Sequence, residues 1–326
     1  MNASRTAILA GFVVVLGAVA VVSMGVGAQA LAPAEVWRAL VSPGADAADI
    51  IVRDVRLPRM ILALAVGAAL AVAGALLQTA TRNDLADPGI LSVTAGAGFA
   101  ITVGTVLGLT GTQVGQLIAA VVGAAAATVV VYAVGRTSPL RLLLAGFAFS
   151  MVLAGLSLGL RLTLPDAFDR FRFWAVGSLA GREQVPLTAP VVIMVLALVG
   201  ALMVARQLEA LLLGEDVAQS LGVNVARTRL AVLVLVTLLA GTATAVVGPM
   251  VFVGLVIPHL ARPFAGNSIP WLIGFTIVLG PILMLAADIA ARVLLRTGEM
   301  PVSIVIAVFG GPVLIWVIRR KRTAPL

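Results

Sequence analysis

Long apolar runs, each closed by a short charged or turn-rich interval, dominate the chain. A helix needs about 20 apolar residues to cross the hydrocarbon core of a bilayer, so charge-free stretches locate candidate spans. Residues 6–34 hold the first and residues 60–81 the second. Residues 88–135 run for 48 positions without a charge, interrupted by Leu109-Thr110-Gly111-Thr112, and hold two more. Residues 142–160 give a fifth span and 184–205 a sixth. The stretch 230–261 is uncharged apart from His259 and is interrupted at Gly248-Pro249, so it reads as a full helix followed by a short, broken one. Residues 263–287, continued to 295, give the ninth, and 300–318 the tenth. The pattern predicts an all-α polytopic membrane protein of about ten transmembrane helices in one domain, residues 1–326. The number is nine if 248–261 does not cross.

The N-terminus has the outline of a signal peptide, with Arg5, an apolar run and Ala28-Gln29-Ala30. The run exceeds the roughly 7–15 residues of a signal core, which makes it a retained first helix, with cleavage after Ala30 as the alternative. Arg5 and the tail Arg319-Arg320-Lys321-Arg322 favour the cytoplasm at both ends, which requires an even number of spans. Small residues recur at helical spacing, as in Gly104-xxx-Gly108 and Gly155-xxx-Gly159, and let spans approach closely.

Composition agrees and narrows the chemistry. The chain is 61% hydrophobic and 11% charged, with mean hydropathy +1.14, whereas soluble domains carry about 25% charged residues. Without cysteine there is no disulfide, thiolate metal site or cysteine nucleophile. One histidine rules out a multi-histidine metal site. The single lysine, Lys321, lies between Arg320 and Arg322, so the chain has no phosphate-cradling Gly-Lys-Ser/Thr loop and any ATP hydrolysis must come from a partner. The net charge of +8 sits largely at membrane edges and does not suggest nucleic-acid binding.

Five segments carry candidate chemistry. Residues 206–222 are too charged to span and read as two short helices turning at Gly214. Leu208, Leu211 and Leu212 make an apolar stripe on the first, and Glu215 and Asp216 open the second, where carboxylates favour the positive helix end. This segment is either an interfacial helix or a knob for a cytoplasmic ATPase. On the outer side Arg53, Arg56 and Arg59 recur every three residues, as snorkelling anchors or as a cationic docking face for an external protein's carboxylates. Residues 81–89 contain Asp87-Pro88-Gly89 and read as a turn. Residues 248–259 contain Gly248, Pro249, Gly254, Pro258 and His259; helices broken inside a membrane line cavities and gates, and a lone histidine at a helix end reads as a hydrogen-bonding residue. Asp288, four residues before Arg292, is read as an ion pair rather than a proton relay.

Together these segments resemble the FecCD-type permeases of ATP-binding-cassette importers, which carry iron–siderophore complexes, haem and cobalamin. The likeness rests on Arg56-Leu57-Pro58-Arg59, on Gly74-Ala75-Leu76-Leu77-Gln78 with Arg82-Asn83-Asp84-Leu85-Ala86-Asp87-Pro88, and on Leu213-Gly214-Glu215 with Ala218 and Leu221-Gly222-Val223. It also rests on Gly248-Pro249 through His259 and on Ala287-Asp288, Ala291-Arg292 and Glu299-Met300-Pro301. Asp84 stands where proline is usual. The resemblance implies a BtuC-like permease bundle in a bacterial cytoplasmic membrane. Its partners would be a second permease subunit, identical or paralogous, two cytoplasmic ATPases using ATP and Mg, and an external solute-binding protein. It implies that residues 206–223 are the coupling helices, and that Arg56, Arg59 and Arg292 face acids of the binding protein. It implies no cofactor or metal bound by the chain itself, and no catalytic residue. The stretch 171–182, Phe171-Arg172-Phe173-Trp174 through Gly181-Arg182, is similar to that of ferric-siderophore permeases and favours that cargo; its aromatics equally suit an interfacial belt. Haem or cobalamin import and an ion-coupled secondary transporter relying on Asp288 are the alternatives, and an intramembrane enzyme lacks a His-Glu-x-x-His motif.

Overall fold

The computed structural model describes residues 2–322 except 28, 43, 45, 136–137, 165–167, 169–170, 173, 183–185 and 296–297. Its regular structure is helical throughout the described residues. In chain order the helices are α1 (Asn2–Gly25), α2 (Pro33–Val41), α3 (Ala47–Ile50), α4 (Leu57–Thr81), α5 (Val93–Val106), α6 (Gln113–Gly135) and α7 (Pro139–Thr163). They continue as α8 (Thr188–Leu212), α9 (Glu215–Ser220), α10 (Val225–Val247), α11 (Val253–Ala265), α12 (Ile269–Val293) and α13 (Val302–Arg322). A π-helical stretch, Ile51–Arg56, joins α3 to α4, and a single 3-10 turn, Pro88–Leu91, precedes α5.

Among the described residues, seven helices are long and apolar enough to cross a membrane, and three shorter apolar ones, α5, α11 and Val302–Ile315 of α13, bring the set to ten. The expected count therefore holds, with unequal members. At 1.5 Å per residue, α5 and α11 reach only about 20 Å, short of the roughly 30 Å hydrocarbon core. Both are preceded by irregular backbone, the turn at Pro88 and the extended segment after Gly248. Inside a membrane such backbone survives only where protein buries it.

That cover comes from α4, every residue of which from Val66 to Thr79 is buried. It lies against α12 and α11 at glycine-to-backbone contacts. A Cβ on Gly74 would overlap the Gly254 carbonyl at the start of α11. With little hydrophobic drive between helices in lipid, this closeness is what packing attraction needs. At the periphery, α1 and α7 leave most of their apolar side chains outside the bundle.

Two boundaries differ from expectation. The α11 helix starts at Val253 and runs through Pro258 and Pro263 to Ala265, where Gly266 at φ +62° ends it. The expected break at Pro263 falls inside the last turn of this helix, which ends only at Gly266. In addition, residues 206–212 form no separate helix but the last two turns of the 25-residue α8.

Candidate functional site

The interruption between α10 and α11 is where the sequence motifs converge. Gly248 adopts φ +83° and Phe252 φ +67°, the latter a left-handed conformation unusual for a bulky residue. Pro258 cannot donate to the carbonyl of Gly254, four residues back, and that carbonyl instead accepts a hydrogen bond from Gln78 Nε2 at 3.0 Å. Gln78 Oε1 in turn accepts from Arg262 Nη2 at 2.9 Å, and Arg262 Nη1 pairs with Asp84. The glutamine of the α4 motif thus serves an acceptor that the proline of the α11 motif releases. The departure from the usual proline at position 84 supplies the counter-ion for Arg262.

A strap covers the same break from the other side. Trp174 is buried and its Nε1 donates to the Thr244 carbonyl at 3.0 Å; Ser178 N donates to the Val247 carbonyl at 3.0 Å. Ser303 N, at the start of α13, donates to the Gly177 carbonyl at 3.1 Å. Trp174 therefore belongs to the interior and not to an interfacial belt. Phe171 packs on its ring, with centroids 5.4 Å apart, while Phe173 lies outside the described residues. His259 is buried in α11, and its Nδ1 donates to the Leu255 carbonyl at 2.8 Å, the hydrogen-bonding role expected of it. Asp87 lies against Gly254, and its Oδ1 accepts from Gly89 N at 2.8 Å. Burial pushes the Asp87 carboxyl above the ordinary carboxylate value, partly offset by that N–H.

At one end of the bundle Gly214, at φ +115°, turns the chain from α8 into the short α9, and Gly222, at φ +80°, turns it on toward α10. Glu215 and Asp216 open α9, and Glu215 pairs with Arg229 of α10 at 2.5 Å. The apolar stripe is corrected here. Leu208, Leu211 and Ala218 are buried against the bundle, whereas Leu212, Leu213, Val217 and Leu221 are exposed. Because α8 continues without a break, its phase is set by the core, and this turns Leu208 and Leu211 inward.

At the opposite end the three arginines expected to present a docking face are buried, at 5% exposure for Arg56 and Arg59 and 6% for Arg292. Arg59 donates to Asp288 Oδ1 from Nε (2.9 Å) and Nη2 (2.7 Å), and to Glu299 Oε2 from Nη1 (2.7 Å). Arg292 pairs with Asp288, as its i,i+4 spacing predicts, and donates to the Ser23 carbonyl at 2.9 Å. Arg56 donates to the Met24 carbonyl at 2.6 Å. Their face is turned inward because the carbonyls ending α1 and the carboxylate of α12 lie beneath it. The cluster ties the ends of α1, α4 and α12 together, and Glu299, about a third exposed, is its outermost acid. Among the sequence signals, Arg262, Arg229 and Ser23 were missed. Only Arg262 carried a cue, as a charge that interrupts an apolar run beside His259.

The sequence pattern of the FecCD transport family matches residues 14–320. The chain belongs to the FecCD transport family. It is 43% identical over 324 residues to the ferric enterobactin transport system permease protein FepD of Escherichia coli strain K12, covering 98% of this chain and 96% of that one. It is 35% identical over 327 residues to the hemin transport system permease protein HmuU of Yersinia pestis, covering 97% and 96%. Among solved structures, an inward-facing metal-chelate type ABC transporter superposes with a TM-score of 0.86 at 30% identity, covering 97% of this chain and 99% of that one. The FecCD assignment accounts for the ten apolar helices and identifies a multi-pass ABC-transporter permease, a transport subunit that works with partners.

Proposed function

We propose that this FecCD permease forms half of a path that carries a ferric siderophore across a bacterial inner membrane, both termini lying in the cytoplasm. A second permease, identical or paralogous, completes the path. Two ATPases using ATP and Mg drive it from the cytoplasm, and an external solute-binding protein delivers the cargo.

The observation that carries this reading is the knob at Gly214. Leu212, Leu213, Val217 and Leu221 stand exposed around Glu215 and Asp216 on a turn tied to the bundle by buried Ala218 and the Glu215–Arg229 pair. An apolar patch rimmed by charge at the end of a span suits a protein groove better than water. On the outer side the arginine cluster is buried, and the charged groups near it that a partner could reach are Arg53 and Glu299. A carboxylate of the binding protein would meet Arg53, and a cationic group would meet Glu299. The 43% identity to a ferric enterobactin permease supports siderophore as the cargo. The 35% identity to a hemin permease supplies the rival.

The test is uptake into proteoliposomes holding the permease with its partner subunits, using a radiolabelled ferric catecholate and, in parallel, haem. Vanadate-sensitive accumulation of the ferric catecholate is expected, independent of a proton gradient. Accumulation of haem alone would overturn the cargo, and uptake that survives vanadate but needs a proton gradient would overturn the mechanism.

A further inference from the structure

One cavity furnished with charged groups among the described residues has no part in the reading above. It has a volume of about 360 Å³ and opens beside the knob, between the ends of α4 and α6 and the beginnings of α7, α9 and α10. Two guanidinium groups, Arg82 and Arg229, line it together with the phenol of Tyr132, the only tyrosine in the chain. Arg82 is held by a left-handed backbone at φ +50° and spends one donor on the Leu211 carbonyl, leaving the rest of its fork available. Arg229 is bound to Glu215, also in the wall. The remaining wall is apolar, with Leu142 and Leu233 among its members.

The charges of this wall, two guanidinium groups against one carboxylate, leave one positive charge. A phosphate diester, which carries one negative charge and accepts paired N–H donors, matches it. The volume suits a small headgroup. The apolar side of the cavity lies at the ends of the spans, at headgroup level, where tyrosine and arginine favour the interface.

We propose that this cavity binds the phosphate of an anionic phospholipid such as phosphatidylglycerol, with the first acyl carbons along Leu142 and Leu233. Arg229 is then shared between the lipid phosphate and Glu215. Since Glu215 opens α9, occupancy loosens the tether of the knob, and the surrounding lipid sets how freely the proposed coupling surface moves. Only the choice of the cytoplasmic leaflet rests on the orientation proposed above.

The experiment measures retained lipid, not transport, so its failure is separable from a failure of the importer reading. The intact transporter is placed in nanodiscs of phosphatidylcholine with a minor fraction of phosphatidylglycerol, and lipid retained per permease is counted by native mass spectrometry. Phosphatidylglycerol should be retained in preference. Arg82→Gln and Arg229→Gln should each weaken it by roughly tenfold, the scale of a lost charge-assisted pair. Glu215→Gln removes the competitor and should strengthen retention about two- to fivefold. That gain cannot arise from misfolding. The proposal fails if Glu215→Gln weakens retention, if the arginine variants retain as much lipid as the parent, or if phosphatidylcholine is held equally well. Displacement by millimolar inorganic phosphate would assign the site to a soluble ion, and retention seen only after the ATPases are stripped from the transporter would assign it to the protein partner; either overturns the lipid.

Discussion

Asp288 has no exposed surface and accepts hydrogen bonds from two buried arginines, whereas Glu299 serves Arg59 alone from a position about a third open to solvent. Asp288→Asn keeps the shape and removes the charge, leaving Arg59 and Arg292 buried with one partly exposed acid between them. Stripping one partner from a buried pair costs about 3–5 kcal/mol. Glu299→Gln falls in the screened regime, where a pair contributes about 0–1 kcal/mol. At roughly 1–2 °C per kcal/mol for a chain of 326 residues, Asp288→Asn should lower the apparent melting temperature in detergent by roughly 3–10 °C and Glu299→Gln by no more than roughly 2 °C. Heat treatment followed by fluorescence-detected size-exclusion chromatography reads both. In 1 M salt, where the screening length is about 3 Å, the smaller effect should vanish and the larger persist. Equal shifts in the two variants, or an Asp288→Asn shift that salt erases, would refute the claim that burial and not mere proximity gives this cluster its strength.

Three further outcomes follow from other contacts. Gly74→Ala forces α4 away from the Gly254 carbonyl and should sharply reduce the yield of monodisperse protein. Gly17→Ala, whose added methyl meets nothing within 4 Å inside the chain, should leave yield unchanged or slightly higher. Leu213→Glu should abolish co-purification of the ATPase without lowering the melting temperature, whereas Leu208→Glu should prevent folding because that side chain is wholly buried. The raised Asp87 carboxyl binds protons more tightly in the folded than in the unfolded chain, so its contribution to stability is present at low pH and is lost as pH rises from about 4 through the folded value. Asp87→Asn should flatten that part of a melting-temperature profile, and a profile identical to the parent's would refute the assignment.

The spans were legible because each needs an uninterrupted apolar run, and the Asp288–Arg292 pair because its partners share one helix. The turn at Gly214 was legible too, since a charged interval follows a long apolar one. Contacts between distant parts of the chain were not. Nothing local in Arg56 or Arg59 distinguishes a solvent-facing guanidinium from one buried under the end of α1. The inward turn of Leu208 and Leu211 depends on α8 keeping its phase beyond the apolar run. Trp174 looked interfacial because aromatic residues mark both membrane boundaries and buried straps, and only the Thr244 carbonyl 70 residues away decides between them.

That α8 reaches Leu212 without interruption has a mechanical consequence. Its 25 residues make a shaft about 37 Å long whose far end is the base of the knob. A tilt of about 5° imposed at Leu212, pivoting at that end, would sweep Thr188 through about 3 Å on the opposite side of the bilayer. A separate cytoplasmic helix on a flexible joint would absorb the same push within the joint. Whatever force reaches Gly214 is therefore delivered as angular motion across the full thickness of the membrane.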